Sequence, residues 1–177
     1  MTKSDDQHPF PDGIDERNAN PVAGWRRHAS PLGLVAFGLV VALALFGVLG
    51  HERTWAASGG GVDLEVHAPE VIRNGEFFEL RVRVTADDAL DELVIGVDES
   101  LWEDVTVNTL IPAAADEVSA DGEVRFTFAE LPAGTDFLLK VDLQVNPDII
   151  AGNDGTITVY DGNEGLTSAD LTITVLP

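Results

Sequence analysis

FELRVRV, residues 78–84, alternates an apolar with a charged side chain at every step. In an extended strand that period of two puts Phe78, Leu80, Val82 and Val84 on one face and Glu79, Arg81 and Arg83 on the other; in a helix the same residues would scatter around the axis. A strand with one apolar face needs a second layer to cover it. The alternation recurs in Val62–His67, Leu93–Val97, Val105–Leu110, Val124–Phe128, Phe137–Val145, Thr156–Tyr160 and Leu171–Leu176. The sequence thus predicts about eight strands over residues 62–177.

The breaks between these runs carry turn chemistry. Asn74-Gly75 and Asp121-Gly122 tolerate positive φ at both positions and suit tight turns. Leu131-Pro132-Ala133-Gly134, Asn146-Pro147, Asn153-Asp154-Gly155 and Asp161-Gly162-Asn163 are the other interruptions. Many short strands with one apolar face, and no long helical pattern, predict an all-β domain of two antiparallel sheets packed face to face. Phe78, Phe126, Phe128 and Trp102 are the expected core anchors.

Upstream, PLGLVAFGLVVALALFGVLG, residues 31–50, holds no charged or hydrogen-bonding side chain. As a helix rising about 1.5 Å per residue it would cover about 30 Å, the thickness of a bilayer's hydrocarbon core. It is expected to be one membrane-spanning helix. Arg17, Arg26 and Arg27 precede it and only Arg53 follows closely, which puts the amino terminus in the cytoplasm. Trp25, Arg26, Arg27 and Trp55 are the expected membrane-interface residues. A cleavable signal peptide would have a shorter apolar core and a clearer small-residue site than Ala56-Ala57-Ser58, and WRRHASPLG lacks apolar residues just after its arginine pair, so an uncleaved anchor is the expectation. Residues 1–30, rich in Pro, Asp and Asn, read as a disordered cytoplasmic tail. Residues 51–61, with Ser58-Gly59-Gly60-Gly61, read as a juxtamembrane hinge. Gly38 and Ala42 have the small-residue spacing that lets two spans approach.

NGEFFELRVRVTAD, ELPAGTDFLLKVDLQVNP and GTITVYDGNEGLTSADLTITVLP together resemble the first, middle and last strands of bacterial immunoglobulin-like extracytoplasmic modules. The resemblance implies a seven- to eight-stranded sandwich with a binding or scaffolding habit, carried on a single-pass anchor. It carries no catalytic residues across, and the cysteine pair of antibody domains is missing, since the chain has no cysteine.

The 177-residue chain has a formal net charge of −21. Residues 51–177 hold 26 Asp and Glu against Arg53, Arg73, Arg81, Arg83, Arg125 and Lys140. Such a surface repels phosphate backbones, which argues against nucleic acid as a partner, and serves solubility. Asp148, Asp154, Asp161, Asn163 and Glu164 are the candidate calcium ligands, because calcium takes six to eight oxygens from such side chains and from backbone. The same residues are ordinary turn formers. No other cofactor is expected.

For catalysis the region offers His51 and His67, too few for a multi-histidine metal site. A Ser-His pair would need His67 with Ser100, Ser119 or Ser168, none in a nucleophile-elbow sequence. Glu99, Glu103 and Asp104 beside Trp102 could serve sugar chemistry. The readings rank as follows: a membrane-anchored, non-enzymatic accessory or scaffold protein with a membrane or cell-envelope protein as partner; a calcium-dependent adhesion or ligand-binding module; a carbohydrate-active enzyme. In each, the carboxyl-terminal domain stands outside the plasma or inner membrane.

Overall fold

A computed structural model describes residues 26–45, 51–146 and 152–176, with the side chains of 26–29 excepted. The chain divides into two compact units, Met1–Phe46 and Gly47–Pro177.

The described part of the first unit is helix α1 (Arg26–Leu45). Arg26–Ser30, expected in a disordered tail, are helical. Large apolar side chains are exposed all round it, among them Leu34, Val35, Phe37 and Leu39. Among the described residues no helix is long and apolar enough to cross a membrane. Residues 31–45 would cover only about 22 Å as a helix, against about 30 Å of hydrocarbon. The rest of the expected span, 46–50, lies outside the described residues, as does Trp25.

The second unit is all-β. Its strands are β1 (Glu52–Gly59), β2 (Val62–Pro69), β3 (Val71–Arg73), β4 (Phe77–Ala86), β5 (Leu93–Asp98), β6 (Val105–Ile111), β7 (Asp116–Ala120), β8 (Glu123–Thr127), β9 (Thr135–Val145), β10 (Asn153–Asp161) and β11 (Glu164–Leu176), with a helical turn α2 (Glu99–Trp102) after β5. One sheet has the order β1-β2-β4-β9-β6, the other β3-β11-β10-β5-β8-β7. All neighbours run antiparallel except β3, which lies parallel to β11. Each of the eight alternating runs falls on a strand, though several strands reach further, β11 by seven residues at its start and β10 by three, and β1, β3 and β7 are additional.

The alternation performs as period two requires. Val62, Leu64, Val66 and Ala68 of β2 are buried while Asp63 and Glu65 are exposed. Leu80, Val82 and Val84 of β4 meet Leu139, Val141 and Leu143 of β9 on the inner face. The second sheet answers with Ile95, Val97, Phe126, Ile157, Val159, Leu171 and Ile173. No polar or charged side chain is buried among the described residues. Of the expected anchors, Phe126 and Phe128 are buried, with the Phe128 ring tilted at 50° to that of Phe137 and 4.7 Å from it, whereas Phe78 and Trp102 are only partly buried against the core.

The hinge expectation is corrected. Residues 52–59 form edge strand β1, paired with β2 from Glu52↔Pro69 to Gly59↔Val62. Gly60 and Gly61 have φ of 59° and 75°, the left-handed pair that a two-residue hairpin demands. Glycines that look like a flexible linker here close a hairpin. Trp55 is corrected with it: its inward register opposite Val66 buries the ring in the core, 9% exposed, with the Arg53 guanidinium 5.3 Å from its centroid. Asp121-Gly122 forms the expected tight turn, with φ of 57° and 83° between β7 and β8.

Candidate functional site

The candidate calcium ligands do not converge. Asp154 is the second residue of β10 and Asp161 its last, so seven residues of extended chain hold them about 23 Å apart. Asp161 Oδ1 accepts from the backbone N–H of Glu92 at 3.0 Å, and the exposed Asn163 and Glu164 belong to the β10–β11 turn. Asp148 lies outside the described residues. Among those described, no group of three His, Asp or Glu side chains is placed to hold a metal ion. Arg26 and Arg27 open α1.

An open groove of about 420 Å³ lies between α2 and the start of β10, with Asp98, Glu103, Asp154 and Asp170 on its walls. Several of its oxygens are engaged in holding the fold. Asp98 Oδ2 accepts from Thr156 N–H at 2.8 Å, Asp170 Oδ1 from the Thr156 hydroxyl at 2.9 Å, and the Asp154 carbonyl from Ser100 Oγ at 2.7 Å. The Trp102 cluster does not build a sugar platform. Trp102 packs partly buried against the core, its Nε1 buried without a partner among the described residues, while Glu99, Glu103 and Asp104 face solvent. His67 Nδ1 lies 2.8 Å from Thr54 Oγ1, with Glu65 at 3.7 Å from Nε2, and Ser100 is bonded elsewhere.

The outer face of the second sheet carries a polar cluster that sequence reading missed. Cross-strand register brings Tyr160 of β10 and Arg125 of β8 to either side of β5. The Tyr160 hydroxyl donates to Glu123 Oε2 at 2.8 Å, Arg125 Nε donates to the same oxygen at 3.1 Å, and the guanidinium lies 4.8 Å from the ring centroid. Gly96 makes the room: a Cβ there would come within 2.9 Å of both Glu123 Oε2 and the Tyr160 ring. Burial, then the Glu123 hydrogen bond and charge, push the Tyr160 phenol up, and the Glu123 hydrogen bond raises Arg125. Tyr160 is the only tyrosine, so its titration is read without overlap. Absorbance at 295 nm is expected to show ionisation above the ordinary value of about 10, and Glu123→Gln to move it down. Because the folded value is the raised one, this contribution to stability is complete below about pH 10 and is lost as pH rises through the folded value.

Four strand edges remain. β1 carries Glu52 and Arg53, β3 has three residues, and β7 carries Asp116 and Glu117, the latter opposite Phe126 on the inward row. Charges, shortness and an inward-pointing carboxylate are the usual guards against further strand pairing. The fourth edge, β6, reads VTVNTLI, with no charge over seven residues; Val107 is 43% and Ile111 55% exposed. From β6 the chain crosses to β7 in the other sheet. Between the two edges the sandwich has an open mouth of about 690 Å³, lined by Val107, Leu110, Ala113, Ala114, Glu117 and Phe126.

No family model and no curated protein matches the chain. Among solved structures it is similar to CaCohA2 from Clostridium acetobutylicum, at 18% identity and TM-score 0.44 over 66% of this chain and 92% of that one. It is similar also to a non-cellulosomal cohesin from the archaeon Archaeoglobus fulgidus, at 14% identity and TM-score 0.41 over 62% and 88%. The C-terminal domain of wzt gives 14% identity and TM-score 0.39 over 72% and 79%. At such values the likeness assigns no function.

Proposed function

We propose that this chain is a membrane-anchored, non-enzymatic interaction protein, an accessory or scaffold subunit whose acidic β-sandwich docks another membrane or cell-envelope protein. The observation that carries the docking role is β6, an uncharged edge strand with Val107 and Ile111 exposed, beside an open mouth between the two sheets. The anchoring role draws on α1. A helix apolar and exposed on all sides has no aqueous surface to offer, and the apolar run continues in sequence to Gly50. The basic residues ahead of it favour a cytoplasmic amino terminus and a sandwich on the outer side of the plasma or inner membrane.

The test is mild detergent extraction of the tagged full-length chain from its native membrane. A second membrane or envelope protein is expected to stay bound at stoichiometric level, identified by mass spectrometry. Recovery of the chain alone, in every mild detergent tried, would overturn the docking role.

A further inference from the structure

We infer that the outer edge of β6 is a strand-addition site for one extended segment of a different protein, in which apolar residues alternate with basic ones. This deepens the docking role proposed above and rests on it. An edge strand leaves half of its backbone N–H and C=O groups unpaired, and a segment laid beside it gains main-chain hydrogen bonds together with pockets for alternate side chains.

The pockets follow from register. Val105 faces Val145, Val107 faces Leu143 and Leu110 faces Val141, so these β6 residues point toward the second sheet. That sheet does not fully cover them, which leaves Val107 exposed over the mouth floored by Phe126. Every second side chain of an added strand would enter the mouth and extend the core, which sets the apolar half of the pattern.

Charge sets the other half. Asp142, opposite Thr109, lies on the outer row that this half of the side chains would join, and Asp116 and Glu117 across the mouth add to the negative field around the edge. Among the described residues none of the three makes an ion pair. The cations of β4 and β9 are engaged: Arg83 with Asp136, Arg81 with Glu52 and Glu79, and Lys140, the one cation opposite β6, with Glu79 at 3.7 Å. A basic segment finds free carboxylates here. A second copy of this chain would instead bring another strongly acidic domain against the first. Asn108 also makes a bulge in β6, and a bulge twists its strand; a single chain can follow that twist better than the edge of a preformed sheet.

The test uses the full-length chain in zwitterionic nanodiscs and a fluorescein-labelled eight-residue peptide of alternating valine and lysine. Saturable binding is expected, with amide exchange over residues 105–111 slowed at least tenfold and no binding of the valine–glutamate counterpart or to empty nanodiscs. Val107→Lys is expected to raise Kd at least tenfold, and Asp116→Asn with Glu117→Gln at least threefold with a shallower salt dependence. Should Val107→Lys lower Tm, Ile111→Lys on the same edge serves in its place. Binding that leaves 105–111 unprotected, or survives both lysine variants, would overturn the site. So would protection that grows with chain concentration without peptide, since the occupant would then be a second copy. In native-membrane extraction, a partner retained by the Val107→Lys chain would overturn this edge while leaving the docking role standing; no partner with either chain would remove the docking role itself.

Discussion

A chain carrying Phe126→Asp is expected to lose the sandwich's cooperative thermal transition at neutral pH, while Phe126→Leu keeps it at a lower Tm. Phe126 is 5% exposed on β8, between Ile95 and Glu117 in register. Truncating a buried phenylalanine costs about 3–5 kcal/mol. A carboxylate placed there adds several kcal/mol, because no buried polar side chain among the described residues is present to pair with it. Domains of this size are stable by about 5–15 kcal/mol in total. Folding would raise the pKa of the introduced carboxyl, so the charge penalty falls as pH drops, and part of the transition should return near pH 4. Calorimetry and proteolysis at both pH values check this. A protease-resistant Phe126→Asp domain at pH 7 would mean that the mouth between β6 and β7 already admits water to the ring.

The inner faces of the sandwich were legible because burial on one face and water on the other impose a period of two, which Phe78–Val84 displays without a break. Where a strand lies at an edge that pressure is weak. β7, DEVSA, is almost wholly exposed and has no apolar face to read. In β1 only Trp55 is fully committed to the core, and a lone tryptophan near an apolar run is equally consistent with a headgroup anchor. Edge status itself is a property of topology: VTVNTLI turns Val105, Val107 and Leu110 inward like an interior strand, and only the sheet order shows that nothing lies beyond it. The Tyr160–Glu123–Arg125 cluster was invisible for a related reason. Its partners are 37 residues apart in sequence and meet only through the register of β10, β5 and β8. The acidic turns misled in the opposite direction, since the residues that suit a calcium loop also suit a β-turn, and extended β10 separates them.

Replacing Glu52–Gly59 by a Gly/Ser linker of equal length in the full chain is expected to lower the sandwich's Tm by about 10–20 °C. Trp55 alone contributes about 3–5 kcal/mol by its burial, and 1 kcal/mol shifts Tm by roughly 3–5 °C in a domain of this size. The ion pairs Arg53–Glu70 and Arg81–Glu52, being exposed, add at most about 1 kcal/mol each. A linker no longer loses backbone freedom on folding, and this offsets the β1 to β2 ladder bonds that go with the strand. The tryptophan tips the balance, so Trp55→Ala should reproduce most of the shift. The linker variant should also self-associate where Trp55→Ala does not, because only the linker bares β2 as a new edge with alternate buried positions at Val62, Leu64 and Val66. Calorimetry with size-exclusion chromatography separates the cases. An unchanged Tm in the linker variant would return residues 51–61 to the role of a hinge.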